Sequence, residues 1–458
     1  MNKIARRSAI SAVLAMILLV GFSLFVVRFF TESDQWVVTP GSPHVYNERG
    51  EVECGVVVDA DGNILLDMRE GWVYTDNETL RKASLHWLGD REGNILAPAL
   101  DAHVFDMTGY DTFNGMYAYG DAASVAELTL AAPVQMAAYD AMDGRKGTVA
   151  VYNYKTGQLL CSVSTPSFDP DNLPDLEEDD RGNYEGIYFN RFTSAKYTPG
   201  SIFKVVTLAA ALETIPDITE QTFTCKKSLE FGIDKVTCER THGQQDLQTA
   251  FRNSCNCAFA QIALQVGPEA MEKYVKIFGI TDEITFDGIV TAEGSYEAVG
   301  AADVNVAWSG IGQYNDLINP CSFLTFIGAI ANGGVPTMPY LVESVSVGDQ
   351  VTYQAQPVSA EPILSDRTVQ LLGEYMRSNV TDGYGAQKFG ELTVCAKTGT
   401  AQVGTQHPNA MLVGYVMDEE YPLAFIVCAE DSGYGGEVCI PIAAQVLDAC
   451  KAYMDNKG

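Results

Sequence analysis

Three short segments of the sequence place hydroxyl, amine and amide side chains at spacings suited to acyl transfer. In the first, Ser201-Ile202-Phe203-Lys204, a hydroxyl and an amine lie three positions apart and therefore share one face of a helical turn. The following residues, 205–212, are almost all apolar, which predicts a buried helix. Burial disfavours a charged lysine and lowers its pKa, so a neutral Lys204 is a competent general base for a serine nucleophile, Ser201.

The second segment is Ser254-Cys255-Asn256. Its hydroxyl can shuttle a proton between a base and a leaving group, and its amide can hold a substrate amide. Taken alone, such a segment is more often an ordinary polar cap or turn. Its interpretation therefore depends on the other two segments.

The third segment, Lys397-Thr398-Gly399-Thr400, directly follows an apolar strand predicted over 392–396. A cation on a strand suits a substrate carboxylate, Gly399 permits close approach of a ligand to the backbone, and the N–H of Thr400 can donate to an oxyanion. The same three letters recur at Lys155-Thr156-Gly157, where they predict only a hairpin turn. The tripeptide alone is therefore not diagnostic.

The elements that position these segments indicate an α+β fold. Strands are predicted near both ends of the second part of the chain, at 148–154, 158–163, 392–396, 411–417 and 423–429. The residues between them are largely helical, and a further helix is predicted from 442 to about 454. One antiparallel sheet built from both ends, with helices packed on it, buries these apolar faces most economically.

The N-terminal part predicts a membrane anchor followed by a small mixed module. Lys3, Arg6 and Arg7 precede an uncharged apolar run at 9–27, which at about 1.5 Å per residue spans a hydrocarbon core of about 30 Å. The basic flank favours a cytoplasmic N-terminus and an exported remainder. A cleaved signal peptide is the alternative, but the run is long and no small-x-small cleavage site follows closely. Residues 31–143 carry short strand-like runs and no catalytic constellation.

The charge and cysteine content exclude some functions and leave one question open. The net charge is −30, and no cluster of basic residues indicates nucleic-acid binding. Eleven cysteines are too few for a dense disulfide framework. Cys225 and Cys238 lie near His242, but a zinc site there lacks a convincing fourth ligand; a disulfide or an unbonded pair are the alternatives. Neither a metal nor an organic cofactor is expected.

The ordered set Ser-x-x-Lys, Ser-x-Asn and Lys-Thr-Gly-Thr is closely related to one found in penicillin-binding proteins and β-lactamases. The sequence resembles the penicillin-binding protein transpeptidases, most closely the monofunctional class B group, from about residue 128 to the C-terminus. The resemblance extends beyond the three motifs to stretches at 163–170, 197–200, 242–243, 310–313 and 331–334. It implies a five-stranded antiparallel sheet with helices on both faces. It also divides the chain into an anchor at 1–30, a short non-catalytic module at 31–143 and a transpeptidase domain at 144–458.

The resemblance implies a catalytic role for three residues. Ser201 attacks the penultimate D-Ala carbonyl of a peptidoglycan stem pentapeptide and expels the terminal D-Ala. Lys204 takes the serine proton, and Ser254 passes it towards the leaving amine. An amino group of a neighbouring stem peptide then takes the acyl group, and β-lactams acylate Ser201 by imitating the D-Ala-D-Ala end.

The resemblance also implies how substrate is bound. Asn256 orients the acyl chain, and Lys397, Thr398 and Thr400 engage the substrate carboxylate along the strand that contains Gly399. The backbone N–H groups of the nucleophile and of Thr400 form the oxyanion hole.

Region 31–143 is too short for a glycosyltransferase domain. The resemblance therefore implies that a multi-spanning membrane polymerase makes the glycan. The rival functions are a D,D-carboxypeptidase or β-lactamase, which pass the acyl group to water, a non-catalytic penicillin sensor, and a scaffold with an inactive site. The single predicted span, with no intracellular effector segment, argues against the sensor, and the intact set of motif residues argues against the scaffold.

Overall fold

The computed structural model describes residues 2–37, 54–69, 71–108, 124–176, 179, 182–404 and 407–457. The apolar run predicted as an anchor lies within one helix, α1 (Asn2–Val37), whose segment Lys3–Thr31 is long and apolar enough to cross a membrane. It is the one such helix among the residues just given. The predicted module at 31–143 falls partly outside these residues.

The remaining helices are numbered along the chain. They are α2 (Glu78–Leu88), α3 (Pro98–Ala102), α4 (Val104–Thr108), α5 (Ala132–Met142), α6 (Arg191–Ser194), α7 (Lys204–Thr214), α8 (Leu247–Arg252), α9 (Asn256–Val266), α10 (Pro268–Ile277), α11 (Asp303–Ser309), α12 (Pro320–Ala331), α13 (Asp366–Asn379) and α14 (Gly435–Lys457). Short 3-10 turns occupy Gly200–Phe203, Ile218–Glu220 and Ala386–Phe389, and a π-helical turn occupies Val380–Tyr384.

The strands are numbered in the same way. They are β1 (Val56–Val58), β2 (Ile64–Asp67), β3 (Val73–Tyr74), β4 (Ser124–Leu128), β5 (Gly147–Asn153), β6 (Leu159–Thr165), β7 (Thr222–Cys225), β8 (Ser228–Phe231), β9 (Asp234–Thr237), β10 (Gly243–Asp246), β11 (Thr285–Phe286), β12 (Ile289–Val290), β13 (Val342–Val347), β14 (Gln350–Gln354), β15 (Val394–Ala401), β16 (Asn409–Val416) and β17 (Leu423–Ala429).

The central sheet confirms the predicted α+β fold. Its five strands are all antiparallel, in the order β15-β16-β17-β5-β6, so strands from both ends of the catalytic region pair at β17 and β5. Every residue of β16 and β17 is buried, because α5 and α14 cover one face of the sheet and α12 packs on the other. Coverage of both faces explains why these strands read as continuous apolar runs. Strand β15 lies at the sheet edge, next to the turn that carries Ser201.

A second, mixed sheet has six strands within the described residues, in the order β14-β13-β4-β1-β2-β3. Strands β13 and β14 were not predicted. They come late in the chain, yet β13 pairs antiparallel with β4, which precedes residue 143. The sheet therefore combines residues from both sides of the predicted boundary between 143 and 144.

Candidate active site

The turn that carries Ser201 is fixed by backbone contacts on two sides. It is a 3-10 turn, Gly200–Phe203, which leads directly into α7. Gly200 has a φ of +53°, and a Cβ there would lie 2.5 Å from the carbonyl oxygen of Thr400 on β15. On the other side, the N–H of Gly200 donates to the carbonyl of Gly312 at 2.9 Å. Since a side chain does not fit at Gly200, the position of Ser201 is set by close packing of main chains.

Lys204 is completely buried in the first turn of α7 and points at the other motif residues. Its Nζ lies 2.9 Å from Ser201 Oγ and 3.0 Å from Ser254 Oγ. It lies 2.7 Å from both the backbone carbonyl oxygen of Ser254 and Oδ1 of Asn256. All four partner atoms belong to neutral groups.

The chemistry of these four partners constrains how Lys204 is protonated. The two at 2.7 Å are acceptors only, so they take two N–H groups from Nζ. A neutral amine has no other N–H, and its lone pair then faces the two hydroxyls. In that state Ser201 Oγ is positioned to donate its proton to Nζ across 2.9 Å, which is within hydrogen-bond reach for a general base. Burial lowers the pKa of Lys204 to about 8, which makes the neutral amine accessible near neutral pH.

Ser254 lies between α8 and α9 in a strained conformation. Its φ is +48°, in the left-handed region that residues other than glycine rarely occupy. This conformation turns both its carbonyl and its hydroxyl towards Lys204. Strain of this kind persists only where the surroundings hold it, and it is frequent at functional sites.

Lys397 is the second buried lysine of the cluster. It is completely buried, and its Nζ donates to Ser254 Oγ at 3.1 Å and to the carbonyl of Thr398 at 2.8 Å. Burial lowers its pKa well below the usual range, and the positive charge of Lys204 lowers that pKa further. The Ser254 hydroxyl therefore lies within hydrogen-bond distance of both lysine amines.

Successive side chains of a strand point to opposite faces, so the four residues of the Lys-Thr-Gly-Thr segment are divided between the two faces of β15. Lys397 and Gly399 face the Ser201 side, and a Cβ on Gly399 would lie 2.8 Å from Ile202 Cγ2. Protein therefore fills the space beside Gly399, and the glycine serves packing of β15 against the Ser201 turn. Thr398 and Thr400 lie on the other face and are partly exposed.

Tyr384 is a site residue that the sequence reasoning missed. The N–H of Thr398 donates to its hydroxyl at 3.0 Å, and the two side-chain hydroxyls lie 3.1 Å apart. Tyr384 ends the π-helical turn Val380–Tyr384 and lies between two glycines in the sequence. A tyrosine in a glycine-flanked turn is a weak signal, because its contact with β15 is purely tertiary.

Asn256 opens α9 and connects the cluster to a neighbouring hairpin. Its Oδ1 accepts from Lys204, and its Nδ2 donates to the carbonyl of Thr237 at 2.8 Å. An amide nitrogen carries two N–H groups, so one remains beyond this bond. The structure thus brings Ser201, Lys204, Ser254, Asn256 and Lys397 into one hydrogen-bonded cluster, whereas Lys155-Thr156-Gly157 lies in the turn between β5 and β6.

Known proteins resemble this chain in sequence and in fold. Residues 147–448 match the family described as penicillin binding protein transpeptidase domain. The chain is 30% identical over 355 residues to peptidoglycan D,D-transpeptidase PbpA of Mycolicibacterium smegmatis, covering 70% of this chain and 72% of that protein. Its fold is similar to a ceftriaxone acyl-enzyme complex of penicillin-binding protein A from M. tuberculosis, with a TM-score of 0.75, 23% identity, and coverage of 89% and 99% of the two chains. It is also similar to Helicobacter pylori penicillin-binding protein PBP2, solved in complex with MreC, with a TM-score of 0.62, 21% identity and coverage of 72% and 64%.

Proposed function

The chain belongs to the penicillin-binding protein transpeptidase family, and on that premise we propose that it is a peptidoglycan D,D-transpeptidase inhibited by β-lactams. The observation that carries the proposal is the contact between Ser201 Oγ and the buried Nζ of Lys204, 2.9 Å apart. Two acceptor-only groups use the N–H bonds of the neutral amine, so its lone pair is left for the serine proton. A serine with such a base is an activated nucleophile for acyl transfer.

In the proposed reaction, Ser201 Oγ attacks the penultimate D-Ala carbonyl, and its proton passes to Lys204. A peptide amine must be protonated to leave, and Ser254 Oγ touches both lysine amines, so it is placed to pass that proton on. The backbone N–H groups of Ser201 and Thr400 form the proposed oxyanion hole, since Gly200 brings the Ser201 turn against the main chain at Thr400. The same steps, with an incoming amine as nucleophile, transfer the acyl group to the acceptor.

In this proposal, the carboxylate end of the substrate lies along β15. Lys397 is fully buried and its amine donates to Ser254 Oγ, so it acts on the substrate through Ser254 and not by direct contact. Strand β15 is an edge strand, and the substrate carboxylate lies along that edge, where the partly exposed hydroxyls of Thr398 and Thr400 contact it, while Gly399 packs the strand against the Ser201 turn. Asn256 orients the acyl chain through its second amide N–H.

The membrane arrangement is part of the proposal. Lys3, Arg6 and Arg7 precede the apolar segment, so the N-terminus is cytoplasmic and the catalytic region lies outside the membrane. There it meets peptidoglycan stem peptides. We propose that glycan chains are supplied by a separate multi-spanning membrane polymerase.

Transpeptidation is distinguished from hydrolysis by the fate of the acyl group. The full chain in detergent is given a peptide ending in D-Ala-D-Ala together with a D-amino acid as acceptor. Transfer to the amine exceeding release of free acid, with a penicillin adduct that persists, supports a transpeptidase. Predominant hydrolysis of the peptide indicates a carboxypeptidase, and rapid consumption of penicillin indicates a β-lactamase; either result rejects the proposal.

The rate of acylation is expected to rise with pH. Burial lowers the pKa of Lys204 to about 8, and only the neutral amine accepts the serine proton. The second-order rate constant for penicillin acylation should therefore increase up to about pH 8 and level off above it. Stopped-flow measurement with a fluorescent penicillin between pH 6 and pH 10 checks this, and a rate that is flat across that range contradicts a lysine base.

A further inference from the structure

Four potential metal ligands meet beside the active site. The ligand atoms of Cys225, Cys238, His242 and Cys255 all lie within 4.8 Å of one another. The three cysteines are buried free thiols, so the disulfide considered from the sequence is not what the structure shows. The fourth ligand that the sequence analysis did not identify is Cys255, the middle residue of the Ser-x-Asn segment.

Separate elements bring these residues together. Cys225 ends β7 and pairs with Gly243 at the start of β10, which places His242 next to it. Cys238 follows β9, and Cys255 is the N-cap residue of α9. The four residues, spaced Cys-x12-Cys-x3-His-x12-Cys along the chain, meet where two small two-stranded sheets pack against α9.

Two of the six ligand separations are close to those around a tetrahedral ion, and all six are within 4.8 Å. Cys238 Sγ lies 3.9 Å from Cys255 Sγ and 3.5 Å from Nδ1 of His242. Zinc binds thiolate at about 2.3 Å and imidazole at about 2.0 Å, which gives ligand separations of about 3.5 to 3.8 Å in a tetrahedron. A donor set of three thiols and one imidazole is typical of a structural zinc site with no open position. We infer that these four residues bind one structural Zn²⁺, with release of the thiol protons.

His242 requires one local change. Its Nε2 accepts from Nε of Arg240 at 3.2 Å. Coordination through Nδ1 leaves the ring proton on Nε2, so Arg240 must turn away. Arg240 is exposed, and its side chain has solvent in which to do so.

The proposed zinc site adjoins the proposed catalytic residues, and its role in catalysis rests on the proposed function. Cys255 lies between Ser254, whose φ is +48°, and Asn256, which accepts from Lys204. The Nδ2 of Asn256 also donates to Thr237, the residue before Cys238. Zinc bound by Cys238 and Cys255 would therefore tie the end of β9 to the start of α9 and hold Ser254 and Asn256 against Lys204. The ligands act as positioning residues, and the ion takes no part in the chemistry.

Metal binding is tested first, without reference to activity. The full chain, purified in detergent and freed of metal under reducing conditions, is titrated with Zn²⁺ and with Co²⁺. We expect one ion per chain, thiolate-to-cobalt charge transfer and the visible bands of tetrahedral cobalt. A metal content near zero, octahedral cobalt spectra, or a disulfide among the three cysteines in the protein as isolated overturns the proposal.

Variants then identify the ligands. Cys225→Ala and His242→Ala are expected to lose the ion, whereas Cys257→Ala is expected to keep it. Cys257 is a matched control because its thiol contacts those of Cys238 and Cys225 but lies outside the ligand set. Loss of zinc from Cys257→Ala alone, or its retention in both ligand variants, contradicts the assignment. If a variant fails to fold, the Zn²⁺ and Co²⁺ titrations of the unaltered chain still test the proposal.

Removal of zinc should also slow acylation. Loss of a positioning group around a site typically lowers activity by about 10- to 100-fold, so chelation is expected to reduce penicillin acylation by at least about ten-fold, with recovery on adding Zn²⁺. Zinc binding without any effect on acylation rejects the positioning role. A zinc-loaded chain that never acylates rejects the proposed function instead, so the two failures are distinguishable.

Discussion

Replacement of Ser201 by alanine is expected to reduce release of D-Ala from a D-Ala-D-Ala peptide to background. Ser201 Oγ is the one hydroxyl placed on the turn between Gly200 and α7, within 2.9 Å of Lys204. Without it no acyl-enzyme forms, and removal of an enzyme's serine nucleophile costs on the order of 10⁶-fold in rate. The measurement is D-Ala release by the full chain in detergent, with peptide present at saturation.

The control for this variant is Ser194→Ala. Ser194 is exposed and lies seven residues earlier, so its replacement removes a nearby hydroxyl outside the cluster. We expect this control to retain full activity and the Ser201→Ala protein to unfold at an unchanged temperature. Residual turnover by Ser201→Ala within about a hundred-fold of the unaltered chain would assign the nucleophile elsewhere.

Replacement of Lys204 by methionine is expected to slow penicillin acylation by about 10²- to 10⁴-fold, the usual contribution of a general base. Methionine keeps the volume of the buried chain but has no amine to take the serine proton. Loss of the lysine amine leaves the carbonyl of Ser254 and Oδ1 of Asn256 without this donor, which is unfavourable. Removal of a costly buried amine offsets that loss, so we expect the variant to fold.

Lys196→Met is the matched control, because Lys196 is exposed and lies outside the hydrogen-bonded cluster. Thermal unfolding reports on the fold, and stopped-flow acylation reports on the base. The Lys204→Met protein should also lose the rise in rate towards pH 8. Acylation within ten-fold of the unaltered chain, or a preserved pH profile, would show that another group deprotonates Ser201.

The sequence predicted the central sheet well, because its strands are buried on both faces and carry unbroken apolar runs. The predicted start of α14, at 442, is seven residues late, because the helix begins at Gly435 and contains Pro441. Strand β15 likewise runs on through Lys397 to Ala401, where polar residues had suggested that it ends. Strands β13 and β14 were missed, because their pairing with β4 joins distant segments.

The site was predictable where residues act through local spacing. Ser201 and Lys204 share one turn, and the order of the three motifs indicated their convergence. The contacts of Tyr384 with Thr398 and of Cys255 with Cys238 are tertiary, and nothing in their spacing reveals them. Cys255 was also not identified as a metal ligand because it occupies the variable middle position of the Ser-x-Asn motif.

The most direct test of Ser201 as the acylated nucleophile is to locate the penicillin adduct. The full chain is exposed to penicillin, its intact mass is measured over time, and the adduct is mapped after trypsin digestion. Cleavage after Lys196 and Lys204 yields residues 197–204, in which Ser201 is the only serine. We expect one persistent drug mass, located on Ser201. An adduct on any other residue, or penicillin consumed while the chain keeps its unmodified mass, would contradict it.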